Sequence, residues 1–312
     1  MTAALIIAAG KTSGKDHFAP DKKIGTITAI ERIALLFQQA GIQKIAVVCK
    51  DKEDRTPKLV PSMNLTFLNS PPDGDMFDSI RTGLAYLQGK CTQALIAYVD
   101  VPMFSVSTVK ALLSAEGDVC VPSYRKHGGH PVLIREEHFD RILSYRGGKG
   151  LNDAITCCGL KRHFVNVDDP GILSDIQKDR SYEALVADHD VAKLRAGFRF
   201  RLYRECAFYG PGAHQLLLLT EETGSLSEAC RYMGLSYSKG RKIIAVIEEQ
   251  TGKPVLESRQ GGKGGGYSKL TKETKKLMRH YDEFCGEAEL VFQELFAKHF
   301  ASEISEEKKK AD

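Results

Sequence analysis

The amino-terminal segment Ala3–Ala9 is the feature that most constrains the fold of this chain. All of its residues are apolar, and Gly10 ends the run. A short apolar run bounded by glycine is typical of a strand that is buried on both faces, as at the centre of a parallel sheet. Because parallel strands need long, usually helical crossovers between them, the sequence predicts an α/β domain around this strand.

A loop rich in glycine and lysine, Gly10–Lys15, follows the strand. Glycine allows backbone N–H groups to turn towards an anion, and lysine adds positive charge, so the loop is a candidate phosphate site. A solvated basic turn would explain the same residues without any ligand. The loop is not a P-loop, because the GxxxxGK[ST] spacing is absent and no Lys-Ser/Thr pair opens the next helix.

Strand and helix signals alternate after this loop. Thr28 and Glu31 have the spacing of a capping box, which starts a helix that Gly41 ends. Strands alternating with helices imply right-handed crossovers, so we expect an α/β fold with a doubly wound, Rossmann-like, mostly parallel sheet. The further elements predicted here are strands at Lys44–Cys49, Asn64–Leu68 and Ala94–Val99 and a helix at Phe77–Leu87.

The composition agrees with this architecture and excludes several classes of protein. The chain of 312 residues has room for two domains, and 42% hydrophobic and 27% charged residues are typical of a soluble protein. We expect no membrane association and no signal peptide, because no apolar run approaches a membrane span and no cleavage pattern is present. The eight cysteines include no C-x-x-C pair, which favours reduced thiols in a cytoplasmic protein.

Asp100 directly follows the predicted strand Ala94–Val99. Ligands of doubly wound sheets bind beyond the carboxyl ends of the strands, so Asp100 and the Gly10–Lys15 loop share one predicted cleft. A carboxylate in this place suits a hard cation such as Mg²⁺, which bridges phosphates. The alternative is that Asp100 is the N-cap of a helix that begins after Pro102.

Two later segments add candidates to this cleft. A loop with two glycines and His130 lies between strands predicted at Asp118–Pro122 and Val132–Ile134, and such a loop suits closure over a ligand. A single histidine in a loop is, however, more often packed than catalytic. A helix is predicted from about Glu136 to Ser144. Several carboxylates follow a strand predicted at Phe164–Val167 and favour a cation, namely Asp168, Asp169 and Asp175.

Six short motifs lie along the first 192 residues. They are AAG at Ala8–Gly10 with a following lysine, AGI-x-x-I-x-V-V at Ala40–Val48, S-x-R-x-G-L at Ser79–Leu84, VDVP at Val99–Pro102, GHPV at Gly129–Val132 and VDDPGIL-x-DI at Val167–Ile176. In order and spacing they agree with the MobA/MocA-like nucleotidyltransferases, the family that attaches a nucleotide to the pterin phosphate of the molybdenum cofactor. Residues 1–192 therefore resemble that family.

The resemblance implies a Mg²⁺-dependent transferase that uses a nucleoside triphosphate, CTP or GTP, and a pterin-type phosphate as acceptor. It assigns catalysis to Lys22, which would stabilise the transferred phosphate, and to Asp100. It also implies that Asp100, Asp175 and Gln177 hold the metal. Nucleotide binding is assigned to nine residues, Ala9, Gly10, Lys11, Thr12, Gly14, Lys15, Ser79, Gly129 and His130.

Two departures from the family pattern leave the activity open. Gly14 stands where the family loop has arginine, and the neighbouring Lys15 lacks the bidentate fork of a guanidinium group. Gln177 stands where related transferases have a second carboxylate, and its amide oxygen carries no charge. The first domain is therefore either an active transferase or a catalytically weak sensor of a nucleotide or cofactor.

The residue pattern changes after Gly197. Phe198–Phe208 alternates apolar and polar residues, which predicts one half-buried strand, and a helix is predicted at Ala213–Glu222. A hairpin with a basic, flexible tip follows further along the chain and would form a wing. Its predicted parts are Pro254–Glu257, Gly261–Gly266 and Ser268–Leu270.

Two helices between these segments form a helix-turn-helix pattern. Ser225 and Glu228 have capping-box spacing, Gly234 ends the first helix, and Ser236 caps the second. Residues 224–280 contain 12 Lys or Arg and 5 Asp or Glu, a surplus typical of proteins that bind the phosphate backbone. A solvated helix face would also explain the basic residues. DNA contacts are predicted for Ser236, Tyr237, Ser238, Lys239, Arg241, Lys242 and Lys263.

Four segments carry a second resemblance. They are GPG at Gly210–Gly212, ETGSLSEACRYMGLSYSK at Glu222–Lys239, GKPVLESRQGGKGGG at Gly252–Gly266 and Leu270–Thr271. The region is similar to the winged-helix domain of ModE-type molybdate-responsive regulators. The resemblance implies transcriptional regulation by a small α+β winged helix-turn-helix domain, residues 197–281, that binds DNA.

The last predicted element is a long helix, residues 271–300. Apolar residues recur along it at spacings of four and three, which is the stripe of a coiled coil. The stripe consists of Leu277, Tyr281, Phe284, Ala288, Val291 and Leu295. Packing within one chain would explain it, but the length favours a homodimer seam. Residues 301–312 are charged, and we expect a disordered tail.

Overall fold

The structure, a computed structural model, describes residues 1–9, 11–12, 15–16, 19–50, 56–60, 63–178, 180–259 and 267–303. At 11–12, 15–16, 258–259 and 267 it describes the backbone alone. The chain divides into two units, Met1–Ala192 and Lys193–Asp312. Within the described ranges, no helix combines the length and the apolar character that crossing a membrane requires.

An eight-stranded sheet forms the centre of the first unit. Its strands are β1 (Thr2–Ile7), β2 (Lys44–Cys49), β3 (Leu65–Asn69), β4 (Gln93–Tyr98), β5 (Val119–Tyr124), β6 (His127–Gly128), β7 (Val132–Arg135) and β8 (Arg162–Asn166). The longer helices are α1 (Ala29–Gln39), α2 (Met76–Leu87), α3 (Val106–Ser114), α4 (Phe139–Ser144) and α5 (Gly150–Cys157). Shorter elements are a one-turn helix at Thr56–Leu59, ribbons pairing Lys11–Thr12 with Lys15–Asp16 and Lys23–Ile24 with Ile27–Thr28, and 3₁₀ turns at Glu136–His138, Pro170–Leu173, Ser181–Leu185 and Asp190–Ala192.

The central strands β3, β2, β1 and β4 lie side by side in this order and are all parallel. The predicted mostly parallel α/β sheet is therefore confirmed. β7 departs from the pattern, because it runs antiparallel between β4 and β5. β8 pairs with β5 in parallel, and β6 pairs with it antiparallel. Since the central strands are parallel, their carboxyl ends lie at one edge of the sheet.

The first strand shows why helices pack on both faces of the sheet. Ala3–Ile7 is completely buried, and successive side chains of a strand point to opposite faces. Ile6 belongs to a core that includes Phe37 of α1 and Leu112 of α3. Leu5 instead meets Gly83 of α2, where an added Cβ would lie 2.2 Å from a methyl carbon of Leu5. Glycine at position 83 lets α2 approach the sheet closely.

Local capping signals position the helices of the first unit. The predicted capping box at α1 is confirmed: Thr28 Oγ1 accepts the N–H of Glu31 at 3.3 Å, and Glu31 accepts the N–H of Thr28 at 2.7 Å. α2 starts with a further capping box, Asp75 with Asp78, that the sequence analysis missed. Its third residue is aspartate, whereas the sequence signature expects Glu or Gln there.

The second unit contains four helices and two antiparallel hairpins in the described ranges. The helices are α6 (Pro211–Thr223), α7 (Leu226–Tyr232), α8 (Tyr237–Thr251) and α9 (Lys272–His299). The hairpins are β9 (Leu202–Tyr203) with β10 (Ala207–Tyr209) and β11 (Leu256–Arg259) with β12 (Tyr267–Leu270). Its core gathers residues from all four helices, including Leu216, Leu226, Ile244 and Tyr281.

The predicted caps of α7 and α8 are confirmed, with one correction. Ser225 accepts the N–H of Glu228, and Ser236 accepts the N–H of Lys239, each at 3.3 Å. The second bond of the predicted capping box, from the N–H of Ser225 to the Glu228 carboxylate, is absent, because this N–H donates to Thr223 Oγ1 at 3.2 Å. α7 and α8 approach each other closely at Gly240, where an added Cβ would lie 2.2 Å from the sulfur of Cys230.

The single strand predicted at Phe198–Phe208 is wrong. Only residues 202–203 and 207–209 are strand, and they pair with each other across a turn in which the N–H of Arg204 donates to the carbonyl of Cys206. The alternating phenylalanines have another partner. Phe198 packs against Phe292 of α9, with 5.1 Å between ring centroids, and Phe200 packs against Phe284 at 4.2 Å. A two-residue period thus serves contacts with a helix here.

Candidate functional site

Asp100 lies at the carboxyl edge of the sheet, where β1 and β4 end together. The N–H of Val99 donates to the carbonyl of Ile7 at 3.0 Å, so the chain after β4 stays beside the end of β1. Asp100 is 9% exposed. The alternative that Asp100 caps the next helix is wrong, because the N-cap of α3 is Ser105, whose hydroxyl accepts the N–H of Thr108 at 3.1 Å.

Lys22 contacts Ile176, a residue that is itself hydrogen-bonded to Asp100. Its carbonyl accepts the N–H of Ala29 at 2.9 Å, which fixes its backbone at the start of α1. Its ammonium group donates to the carbonyl of Ile176 and lies 5.2 Å from the centroid of the Tyr182 ring. The N–H of Ile176 donates to the carbonyl of Asp100 at 2.8 Å. Ile176 therefore joins the two residues predicted to be catalytic.

Sequence reasoning missed Tyr182 and the backbone role of Ile176. A backbone carbonyl leaves no trace in residue identity, and Tyr182 stands 160 positions after Lys22 along the chain. The motif at Val167–Ile176 gave the only signal, since it ends at the residue that Lys22 contacts.

The predicted metal ligands Asp175 and Gln177 flank Ile176. One carboxylate oxygen of Asp175 accepts the N–H of Gln177 at 2.9 Å, and the other lies 2.8 Å from the ammonium of Lys178. The hydrogen bond and the charge of Asp175 raise the pKa of Lys178, and the charge of Asp100 adds to this effect. The carboxylates of Asp100 and Asp175 thus both favour the charged form of Lys178. The side chain of Gln177 is exposed.

These oxygens are a modest but suitable donor set for Mg²⁺. Mg²⁺ is commonly held by one or two carboxylates together with substrate phosphates, and Asp100 and Asp175 meet that requirement. No group of three or more His, Cys, Asp or Glu that could hold a metal ion occurs among the described residues. The roles of Asp100, Asp175 and Gln177 as ligands stay predictions.

The expectation that the carboxylates after Phe164–Val167 jointly favour a cation is wrong for Asp169. Its carboxylate accepts hydrogen bonds from the N–H of Ser105 at 2.7 Å, the hydroxyl of Thr108 at 2.6 Å and the N–H of Gly171 at 2.9 Å. Asp169 is 8% exposed, and these three hydrogen bonds engage both oxygens of its carboxylate. It holds the chain after β8 against the start of α3. Asp168 is exposed.

Gly129 and His130 lie beside the segment that carries Asp175. The N–H of His130 donates to the carbonyl of Ile172 at 3.0 Å, and a Cβ at position 129 would lie 2.3 Å from the same oxygen. Glycine at 129 is therefore required by the close approach of two backbones. The His130 ring lies 4.3 Å from the Tyr98 ring, and burial lowers the pKa of His130 to about 4. The imidazole is neutral at neutral pH.

Ser79 is at this edge of the sheet but below its surface. It is completely buried, and its hydroxyl lies 2.8 Å from the hydroxyl of Ser70, which follows β3. In this arrangement Ser79 supports the end of β3. Its contact with a nucleotide stays a prediction.

The predicted phosphate loop is described only in part. Ala9 is buried, and the backbones of Lys11–Thr12 and Lys15–Asp16 pair antiparallel. Gly10 and Gly14 lie outside the described residues, as do the side chains of Lys11, Thr12 and Lys15. The phosphate-binding role of the loop therefore stays a prediction.

The first turns of α8 present a basic surface in the second unit. Ile244 and Ile247 are buried in the core further along the helix, whereas residues near its start are exposed. The exposed residues are Ser236, Tyr237, Ser238, Lys239, Arg241 and Lys242. Lys263 lies outside the described residues. The predicted DNA-binding residues that are described are thus all accessible to solvent.

α9 is half packed and half exposed. Met278 and Tyr281 are buried in the core of the second unit, and the hydroxyl of Tyr281 donates to the carbonyl of Phe200 at 2.9 Å. Further along, Phe284, Val291 and Leu295 are 48%, 56% and 48% exposed. The predicted stripe therefore explains intramolecular packing at its start and leaves apolar side chains exposed over the rest.

Comparisons with known proteins bear on both units. Residues 4–164 match the family model described as MobA-like NTP transferase domain. The transcriptional regulator ModE of Haemophilus influenzae is 28% identical over 79 residues, which are 25% of this chain and 31% of that protein. The chain thus spans about a third of the length of this curated relative.

Two solved structures are similar to this chain at low sequence identity. One is the homologue of the Mycobacterium tuberculosis protein Rv0371c from Mycobacterium sp. strain JC1, at 18% identity and a TM-score of 0.49, covering 60% of this chain and 96% of that one. The other is a nucleotidyl transferase from Methanothermobacter thermautotroptrophicus, at 19% identity and a TM-score of 0.49, covering 57% of this chain and 92% of that one.

Proposed function

Since this chain belongs to the MobA-like NTP transferase domain family, we propose that its first unit catalyses Mg²⁺-dependent nucleotidyl transfer. The phosphate of a pterin-type acceptor attacks the α-phosphorus of CTP or GTP, which gives a nucleotide-linked cofactor and releases pyrophosphate. One observation carries the proposal. Ile176 accepts a hydrogen bond from the ammonium of Lys22 and donates one to the backbone carbonyl of Asp100, so both residues are anchored to one residue beside the carboxyl edge of the sheet.

Each residue has a separate task in this reaction. Lys22 places positive charge beside the transferred phosphate, where electrostatic stabilisation does most of the work in phosphoryl chemistry. The loop Gly10–Lys15 holds the triphosphate. Asp100 and Asp175 would hold Mg²⁺, which supplies charge neutralisation of the phosphates when bound. His130, whose pKa is about 4, adds no charge at neutral pH.

The test is pyrophosphate release from purified full-length protein with CTP or GTP, each with and without molybdopterin. We expect release that requires the acceptor, one of the two triphosphates and Mg²⁺. Asp100→Asn should abolish turnover, whereas Asp168→Asn, which changes an exposed carboxylate of the same region, should not. Equal turnover of wild type and Asp100→Asn would remove Asp100 from the mechanism.

A second candidate function is supported by an ion pair at the predicted metal ligand Asp175. Lys178 lies against Asp175, and an exposed amide, Gln177, stands where a carboxylate would strengthen metal binding. These features favour a first unit that binds nucleotide or cofactor with little turnover and acts as a sensor. Triphosphate binding without pyrophosphate release, for every acceptor tested, would select this alternative.

We also propose that residues 197–281 form a winged helix-turn-helix domain that binds DNA and regulates transcription of genes for molybdenum metabolism. α8 would be the recognition helix, because Lys239, Arg241 and Lys242 are exposed near its start. The β11–β12 hairpin would be the wing, with Lys263 near its tip. The similarity to the regulator ModE supports this assignment.

The exposed apolar side chains of α9 support a homodimer. Two winged helices on one axis read two half-sites, and this arrangement gives selectivity that a single small domain lacks. The seam would run through Phe284, Val291 and Leu295, each about half exposed in one chain.

A further inference from the structure

The segment after β8 contacts Lys22 at two points. We define the strap as residues 170–178 and 180–192. The ammonium of Lys22 donates to the carbonyl of Ile176 in the strap and faces the ring of Tyr182, also in the strap, at 5.2 Å from its centroid. Tyr182 is 8% exposed and joins the core of the first unit. In this structure the strap binds the ammonium group of Lys22, which the proposed nucleotidyl transfer requires.

The two ends of the strap are held without Lys22. At one end the carbonyl of Ile172 accepts the N–H of His130 at 3.0 Å. At the other end His189 lies 3.0 Å from a guanidinium nitrogen of Arg32 and 3.1 Å from the carbonyl of Phe104. Between these ends, the carbonyl of Ile176 and the ring of Tyr182 are the groups that contact Lys22, while the N–H of Ile176 donates to the carbonyl of Asp100.

A phosphate group is a stronger partner for an ammonium than this internal pair. An ammonium and a phosphate attract each other as two full opposite charges, whereas a carbonyl and an aromatic ring offer an ammonium only partial charges. When Lys22 turns to a phosphate, Ile176 loses its ionic donor and Tyr182 loses its cation. The middle of the strap is then held by fewer contacts.

We propose that the strap is an internal competitor of phosphate for Lys22, and that binding of a nucleoside triphosphate releases it. The inference rests on the proposed function for the identity of the phosphate group. It adds a regulatory step at that site: the protein holds its phosphate-binding cation on its own chain until a ligand displaces it. Nucleotide therefore loosens the middle of the strap while the ends at Ile172 and His189 stay in place.

The first arm of the test needs no ligand. Hydrogen exchange is followed by mass spectrometry in the peptides covering residues 174–186 of full-length wild type, Lys22→Met and the matched control Lys23→Met, whose side chain is exposed. Lys22→Met should exchange about three- to tenfold faster there, and Lys23→Met should match wild type. Equal exchange in Lys22→Met and wild type overturns the proposal, whether or not nucleotide binds.

The second arm measures competition. Tyr182→Leu removes the ring, while Tyr182→Phe keeps it, and calorimetric titration gives the affinity of each variant for CTP, GTP and tripolyphosphate with Mg²⁺. Tyr182→Leu should bind about two- to fivefold more tightly than wild type, and Tyr182→Phe should equal wild type. Thermal unfolding confirms that both variants are folded.

The same samples show whether nucleotide releases the strap. A bound triphosphate should accelerate exchange of residues 174–186 in wild type and leave Lys22→Met unchanged. Protection of these residues by a ligand that the calorimeter shows to bind overturns the proposal. If none of the three phosphates binds to any variant, the proposed function fails, and the first arm still decides whether Lys22 holds the strap.

Discussion

Asp169 offers a direct test of how the site is held together. Asp169→Asn keeps the size and shape of the side chain and removes its charge. One carboxylate oxygen accepts both the N–H of Ser105 and the hydroxyl of Thr108, and the other accepts the N–H of Gly171. An asparagine oxygen can keep the bond to Gly171, but its NH₂ group would then face the N–H of Ser105.

The expected loss of stability follows from this geometry. Hydrogen bonds to a charged group contribute about 1.5–3 kcal/mol each, and a buried donor left without an acceptor is itself unfavourable. Thr108 can rotate its hydroxyl to accept from the new amide, whereas the N–H of Ser105 cannot adapt. We therefore expect the free energy of unfolding of the first unit to fall by about 3 kcal/mol.

The measurement must report on the first unit alone, because a chain with two units does not unfold as a two-state system. Hydrogen exchange by mass spectrometry along a urea series, read from peptides of residues 1–192, gives the midpoint of this unit in the intact protein. Asp168→Asn is the matched control, since its side chain is exposed. A loss below about 1 kcal/mol in Asp169→Asn, or an equal loss in Asp168→Asn, would refute the assignment of Asp169 as a structural anchor.

Three further predictions concern acidity, DNA and assembly. The pKa of His130 is about 4 in the folded chain and about 6.5 when unfolded, so the unfolded state binds more protons between these values. The stability of the first unit should fall by up to about 3 kcal/mol from pH 6.5 to 4, and His130→Phe should reduce this dependence; an identical pH profile of the variant would contradict it. Replacing Arg241 and Lys242 by Ala should weaken DNA binding and lower the salt slope by up to about two units in filter-binding titrations, and an unchanged slope would exclude phosphate contacts. Replacing Phe284 and Val291 by Ser should give monomers in sedimentation, and the dimer proposal fails if wild type is itself monomeric.

Local elements of the fold could be predicted from short stretches of sequence. The central strand, the strand Lys44–Cys49 and the capping box of Thr28 with Glu31 are present as predicted. In each case the decisive interactions lie within a few residues or in a single apolar run, so residue type and spacing carry the information. The caps Ser225 and Ser236 follow the same rule.

Elements that depend on residues distant in the chain could not be predicted from short stretches of sequence. The alternation in Phe198–Phe208 is real, but its phenylalanines face α9 instead of a sheet. The orientation of β7 also escaped prediction, since an apolar run fits a parallel and an antiparallel neighbour equally well. The pattern of apolar residues shows which side of a segment is buried, but it does not identify the partner or the direction of that partner.

The residues of the candidate site show the same difference between local signals and contacts with distant segments. The sequence by itself determined that Asp100 follows a predicted strand and that Asp175 lies in a recognisable motif, and the family resemblance added Lys22. Only the tertiary structure decided that Ile176 ties Lys22 to Asp100, and that Asp169 is an anchor for Ser105 and Thr108. Carboxylates of the same kind, a few residues apart, differ in role because burial and hydrogen-bond partners are set by segments that the fold brings together.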